Sequence, residues 1–176
     1  PKISIPLPVY NVEEKWLRLC IDSILNQVYT NWELCMADDA STDPNVKKIL
    51  TEYQQLDERI RVVFREQNGH ISEATNSALA IATGEFVALL DNDDELAINA
   101  FYEVVKVLNE NPELDLIYSD EDKIDMDGNR SDPAFKPDWS PDLLLGTNYI
   151  SHLGVYRRSI LEEIGGFRKG YEGSQN

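Results

Sequence analysis

Cysteine is scarce. Cys20 and Cys35 are the only two in 176 residues, and they form neither a CxxC pair nor a zinc spacing. That excludes a disulfide scaffold, and two thiols in a chain of this size point to a reducing compartment. Cys20 shares a helical face with Leu17, Ile21 and Ile24, which assigns it to core packing. Basic residues are few as well: 16 Lys and Arg stand against 32 Asp and Glu, a net charge of −16. Such a surface repels phosphate backbones and anionic lipid, so nucleic acid is excluded as a sequence-independent partner. A phosphorylated ligand would need a metal cation between the two negative partners. No run approaches the ~20 apolar residues of a spanning helix, and no charged stretch followed by an apolar one marks a leader. The chain opens at Pro1 with a strand-like run already under way, so the native start is expected upstream. Glycine-rich phosphate loops are missing: neither GxGxxG after the first strand nor GxxxxGK[ST] occurs, which counts against dinucleotide cofactors and P-loop chemistry.

What is present is a soluble globular composition, 42% hydrophobic and 27% charged, in a length that suits one domain. Short apolar runs alternate with helical periodicity. Residues 2–9 read as a strand ending in prolines, 12–27 as an amphipathic helix with Trp16 in the core, and 32–37 as a second strand. A capped, proline-marked helix starts after Ser41-Thr42-Asp43 and runs to about residue 56. Strands are expected at 60–64, 85–90 and 114–119, with helices at 72–82 and 97–109. The unbroken run at 85–90 fits a strand buried on both faces. Residues 120–142 read as a long irregular excursion with a turn at Asp127-Gly128, followed by a strand at 149–156 and a short helix at 157–164. This alternation predicts an α/β fold with a mainly parallel sheet flanked by helices in three layers.

The polar clusters all fall at the carboxyl ends of expected parallel strands: Tyr10-Asn11, Asp38-Asp39, Asn68-Gly69-His70, Asp91-Asn92-Asp93-Asp94 and Asp120-Glu121-Asp122. That edge is where an open α/β sheet forms its ligand crevice. In the tetrad, Asp91 and Asp93 are two apart in a turn anchored by an apolar strand, and can offer oxygen to one hard divalent cation, Mn²⁺ or Mg²⁺. The bland alternative is a set of dipole-compensating acids before the next helix, a role that suits Asp94 and Glu95. An EF-hand fails, because the sixth position counted from Asp91 is Leu96 rather than glycine. Asp120-Glu121-Asp122 is either a donor-sugar or acceptor contact or a solvated turn. His152 is either a structural histidine or a residue of the acceptor side. His70 either rims the pocket or sits in solvent. Trp139 and Tyr149 read as core or lid packing before sugar stacking.

Taken in order, Pro8-Val9-Tyr10-Asn11, Asp38-Asp39-Ala40-Ser41-Thr42-Asp43, Asn68-Gly69 with Ala74-Thr75-Asn76, Gly84-Glu85-Phe86 and Asp91-Asn92-Asp93-Asp94 resemble the nucleotide-sugar half of family-2 glycosyltransferases, inverting enzymes of the GT-A fold. The stretch from Gly165-Gly166-Phe167 to Gly173-Ser174-Gln175 resembles the approach to the catalytic base in O-antigen and capsule-type members. The resemblance implies one GT-A domain over residues 1–176, with 1–119 the nucleotide-sugar half and 120–176 the start of the acceptor half. It implies that Pro8, Val9, Tyr10 and Asn11 line the base and ribose, and that Asp39 bonds a uracil-type base. Asn68 and Asn76 would shape the pocket. The tetrad would be the DXD motif, Asp91 and Asn92 on the nucleotide side, Asp93 binding the metal directly and Asp91 contacting ribose or metal-bound water. Asp120, Glu121 and His152 would face the sugars.

The family usually has Asp after Gly-Ser-Gln, where this chain has Asn176, and an amide cannot take a proton from a sugar hydroxyl. A weak or inactive copy, an introduced substitution, or another acid such as Glu172 each account for it. A metal-facing histidine and further helices are expected beyond residue 176. The implied activity is metal-dependent, inverting transfer from a UDP-sugar to a saccharide or lipid-linked acceptor. The alternative is a donor-binding domain without turnover. The implied location is the cytoplasm, peripheral to the inner membrane face. The whole reading expects Asp39 and Asp93 to open into one shared cavity.

Overall fold

In the computed structural model, which describes residues 1–170, strands and helices alternate as the periodicity predicts. They are β1 (Ile3–Val9), α1 (Glu14–Leu25), β2 (Trp32–Asp38), α2 (Pro44–Leu56), β3 (Ile60–Phe64), α3 (His70–Leu79), β4 (Phe86–Leu89), α4 (Ala100–Glu110), β5 (Leu116–Tyr118), β6 (Glu121–Ile124), β7 (Arg130–Ala134), α5 (Pro141–Gly146), β8 (Gly154–Arg157) and α6 (Arg158–Glu163). The main sheet has the order β3-β2-β1-β4-β8-β5, and β6 pairs with β7 in a separate hairpin. β1, β2, β3 and β4 run parallel, whereas β8 runs against both β4 and β5. This is the expected α/β architecture, a mainly parallel sheet flanked by helices.

Side chains alternate across the pleat and give three layers. Trp32, Leu34 and Met36 of β2 meet α1, α2 and α4 in one large core. Cys35 and Ala37, on the opposite face, meet Ala74 and Ala78 of α3. These small residues let α3 lie close to the sheet. Leu161 of α6 covers Val87 and Leu89 on that same face. Both cysteines are buried and unbridged.

Three sequence expectations change. The excursion at 120–142 is not irregular throughout: it holds the β6–β7 hairpin, turned where Asp127-Gly128 predicted. The strand expected at 149–156 pairs only over Gly154–Arg157, and it does so antiparallel. Trp16 is half-buried rather than in the core, its ring capped by the Lys15 ammonium at 4.3 Å. Among the described residues no helix is long and apolar enough to cross a membrane.

Candidate active site

The site begins with two prolines. Along a strand, backbone groups two residues apart point to the same neighbour. Lys2 O accepts from Phe86 N, so Ser4, Pro6 and Pro8 also present their backbone toward β4. Proline has no N–H to give. The β1–β4 ladder therefore stops at Ser4↔Val87, while β1 stays paired with β2 along its whole length. The chain also changes direction here, β2 and β3 lying on one side of β1 and β4 on the other. A switch point of this kind is where α/β sheets open a crevice. Pro8 O, left without a strand partner, accepts from Asn92 Nδ2 at 2.8 Å.

On the β1–β3 side lies a cleft of about 360 Å³ lined by Pro8, Val9, Tyr10, Asp39, Asn68, His70, Ile71, Ala74 and Asn92. Asp39 is buried at its floor. Its oxygens accept Gly69 N–H at 3.0 and 3.1 Å, and Oδ1 pairs with Arg65 Nε at 2.8 Å. Asn68 Nδ2 donates to Asp39 O at 3.2 Å. Tyr10 stands half-exposed at the mouth. Asn11 and Ala40 just after strand ends, His70 at the start of α3 and Ser151 ahead of β8 all have positive φ between 38 and 63°. Non-glycine residues held there carry strain, and such strain gathers at working sites.

On the other side of the tetrad, Asp94 N donates to Asp91 O at 3.2 Å. That turn sets its first and fourth residues side by side. Because β8 runs against β4, the segment ahead of it arrives at the same edge and delivers His152. Its Nε2 lies 3.3 Å from Asp91 Oδ2 and 3.6 Å from Asp94 Oδ2. One ligand atom from each of the three falls within 4.8 Å of the others. The bond to Asp91 raises the His152 pKa against the opposing effect of burial. Burial raises that of Asp94; Asp91 and Asp93 add to this and His152 opposes it. Two carboxylates and one imidazole, with negative charge in excess, fit a divalent ion such as Mn²⁺ or Mg²⁺. This centre borders a second cleft, of about 570 Å³, lined also by Asp93, Glu95, Asp120, Glu121 and Asp122.

The sequence model of "Glycosyl transferase family 2" matches residues 4–165. The chain belongs to glycosyl transferase family 2. It is 53% identical over its full length to an uncharacterized protein, y4gI, of Sinorhizobium fredii, and 44% identical over 99% of its length to the O-antigen biosynthesis protein RfbC of Myxococcus xanthus. It spans 19% and 14% of those two proteins. Its fold is similar to that of S. aureus TarS in complex with UDP-GlcNAc, with a TM-score of 0.76 and 24% identity over 93% of this chain and 47% of that one. It is also similar to a mannosyltransferase of Pyrobaculum calidifontis in complex with GDP-Man and Mn²⁺, with a TM-score of 0.68 and 21% identity over 94% and 47%.

Within this family-2 domain the sequence-derived residues fall into groups. Pro8, Val9, Tyr10, Asp39, Asn68 and Asn92 share the first cleft, and His70 lines it too. Asn11 does not line it. Its side chain instead accepts from Thr42 N and Asp43 N, which ties the loop after β1 to the one after β2. Asn76 is also elsewhere: its amide holds Phe167 through both main-chain groups at 2.8 Å. Asp120, Glu121, Asp93 and His152 share the second cleft. Asp39 and Asp93 thus line two cavities, not one. The turn divides them, Asn92 facing the first and Asp93 and Asp94 the second. A narrow gap lined by Pro8, Leu90 and Asp91 lies between, sharing Pro8 with the first cleft and Leu90 with the second.

Asp93, the expected direct ligand, is not one of the three converging groups, because the turn pairs positions three apart rather than two. Asp94, read from sequence as a helix-end acid, is one of them. α4 starts only at Ala100 after Asn99, so Asp94 lies outside its first turn. The signal available for Asp94 was the turn itself. For His152 it was the reversed direction of its strand, which periodicity does not reveal. Tyr149 packs edge-on against Tyr118, ring centroids 5.7 Å apart, while Trp139 is exposed. Glu172 and Asn176 lie outside the described residues.

Proposed function

We propose that the protein transfers a glycosyl group, with inversion, from a nucleoside-diphosphate sugar of the uridine type to a saccharide or lipid-linked saccharide in cell-surface polysaccharide assembly. The observation that carries this is the Asp91–Asp94–His152 convergence beside the Pro8–Asp39–Asn68 cleft, at the switch point of the sheet. The RfbC relative supports the pathway, and the UDP-GlcNAc and Mn²⁺ complexes of its structural neighbours support donor and ion.

In this reading residues 1–119 hold the nucleotide and residues 120–176 begin the acceptor side of one domain. Tyr10 and Pro8 cover the base, and Asp39 accepts its imide N–H through the oxygen lone pairs that Gly69 and Arg65 leave over. Asp91, Asp94 and His152 would hold the divalent ion, which when bound would supply positive charge to the departing diphosphate. The donor lies across the 91–94 turn, joining the two clefts. Asp120 and Glu121 face the sugars, and the acceptor hydroxyl passes its proton to a carboxylate base. The protein works on the cytoplasmic side, peripheral to the membrane.

Calorimetry with UDP, GDP and Mn²⁺ tests this. UDP is expected to bind with Mn²⁺ present, at least tenfold tighter than GDP, and Asp91→Ala and Asp94→Ala are each expected to abolish the Mn²⁺ dependence. Asp93→Ala decides whether that side chain joins the ion when donor binds. No Mn²⁺-dependent nucleotide binding by the parent protein would sink the assignment. Asn176 favours a second reading, donor binding without turnover, since an amide is no base. UDP-sugar binding without UDP release, with release restored by Asn176→Asp, would establish it.

A further inference from the structure

His152 reaches Asp91 and Asp94 from a short loop between α5 and β8, so something must fix the main chain on either side of it. That fixture is Lys136, just beyond the β6–β7 hairpin. Its ammonium is almost fully buried, with 6% of the side chain exposed. It donates to Ile150 O at 2.6 Å, to His152 O at 2.5 Å and to Glu121 Oε2 at 3.1 Å. An ammonium has three donors, and these contacts take all three. Lys136 thus has no N–H left for a substrate. The same Glu121 oxygen accepts from His152 N at 3.1 Å, so the peptide groups on both sides of His152 are held, one by each member of the ion pair. Lys136 N in turn donates to Asp120 Oδ1 at 2.8 Å.

Burying a lysine carries a desolvation penalty that a packed apolar side chain would avoid. The contacts made here are to main-chain carbonyls flanking one functional side chain. We propose that Lys136 is a positioning residue: with Glu121 it staples the His152 main chain to the hairpin and so aims the imidazole at Asp91 and Asp94. The inference rests on the metal reading above for its purpose, but its geometry stands without the ion. It also gives the 120–142 segment a task other than acceptor contact, that of carrying the clamp for a ligand supplied by the loop ahead of β8.

Two measurements on Lys136→Met test it, one of which needs no metal. The chain has only two histidines, His70 and His152, so diethyl pyrocarbonate modification can be followed at each by peptide mass. In the metal-free protein His152 is expected to react at least threefold faster in the variant, with His70 unchanged as internal control. Mn²⁺ affinity is expected to fall about tenfold, in the range seen when groups that orient a ligand are removed. Metal-free UDP affinity, which reports the other cleft, should stay within twofold. Should Lys136→Met fail to fold, Lys136→Gln, whose amide keeps two of the three N–H donors, is expected to give smaller changes in the same directions. A folded variant with unaltered His152 reactivity overturns the staple, as does one with unaltered Mn²⁺ affinity. If the parent protein binds no Mn²⁺, the metal reading fails instead, and the staple is judged by the modification rates alone.

Discussion

The two ends of the central sheet use the same functional group in opposite ways. At the amino end Glu33, buried opposite Ser4 in the β1–β2 register, is surrounded by donors: Lys2 and Arg61 pair with it, and Ser4 Oγ, Thr83 N, Thr83 Oγ1 and Gly84 N donate to it. Burial alone would push its carboxyl up, but the hydrogen bonds from Lys2, Ser4 and Thr83 outweigh that and hold it at about 2. At the carboxyl end Asp91, Asp93 and Asp94 crowd together with one imidazole, and burial with like-charge neighbours pushes Asp94 up. A carboxylate whose acceptor sites are filled by the protein serves the fold. Carboxylates gathered against like charge suit something that arrives from outside.

The largest expected effect is at the amino end. Removing Glu33 strands the Ser4, Thr83 and Gly84 donors, while Lys2 and Arg61, each 38% exposed, regain water; at about 1–3 kcal/mol per stranded donor the loss is about 3–5 kcal/mol. Glu33→Ala should therefore lower stability by that amount, and the melting temperature by roughly 10 °C for a domain of this size. The pH dependence follows from the depressed carboxyl. The folded-state pKa, about 2, lies below the ordinary 4.5. The contribution is fully present above pH 4.5 and is lost as pH falls toward 2. Chemical denaturation of Glu33→Gln at pH 7 and pH 3 should show a smaller loss between the two pH values than the parent shows. An equal loss would mean that Glu33 does not carry the acid sensitivity.

Gly84 extends that network and comes next. Its N–H donates to Ser4 Oγ at 2.8 Å, and a Cβ there would lie 2.6 Å from Ser4 Oγ and 2.7 Å from Lys2 O. Backbone on one side and a hydrogen-bonded hydroxyl on the other leave little room to yield. Gly84→Ala should cost about 2–3 kcal/mol by overpacking, measured by denaturant titration, with Mn²⁺ affinity of the folded protein unchanged. A loss below 0.5 kcal/mol would show that the β1 end relaxes freely.

The same contrast explains what could be read from sequence. Apolar runs such as those of β2 and β4 are buried on both faces, so their position, their layer and the carboxyl-edge clusters follow from local pattern alone. The β3 and α2 boundaries matched, because proline and the Asp43 cap punctuate them; Asp43 Oδ1 does accept from Asn45 N. What escaped depended on strand direction and turn geometry. β8 is too short for its periodicity to show that it runs backwards, and that reversal is what puts His152 beside Asp91. The pairing of Asp91 with Asp94 depends on one turn hydrogen bond. Pro6 and Pro8 read as a strand's end, whereas they mark the side on which β1 lets go of β4.

The smallest expected effect has the opposite sign. If the carboxyl-end aspartates are held together against their own repulsion, neutralising one should relieve the fold. Asp94 suits the test: its carboxyl is raised by burial and by Asp91 and Asp93, and only the His152 ring opposes this. Asp94→Asn keeps the shape of the side chain and removes the charge. It should raise stability by about 0.5–1 kcal/mol, as commonly happens when a functional site gives up its strain, while weakening Mn²⁺ binding severely. Part of the gain is offset because the His152 ring loses its contact with the Asp94 carboxylate and keeps that with Asp91. Denaturation of parent and variant side by side measures the balance. A variant less stable than its parent by 1 kcal/mol or more would place Asp94 with Glu33, as a carboxylate that the fold requires, and would erase the distinction between the two edges.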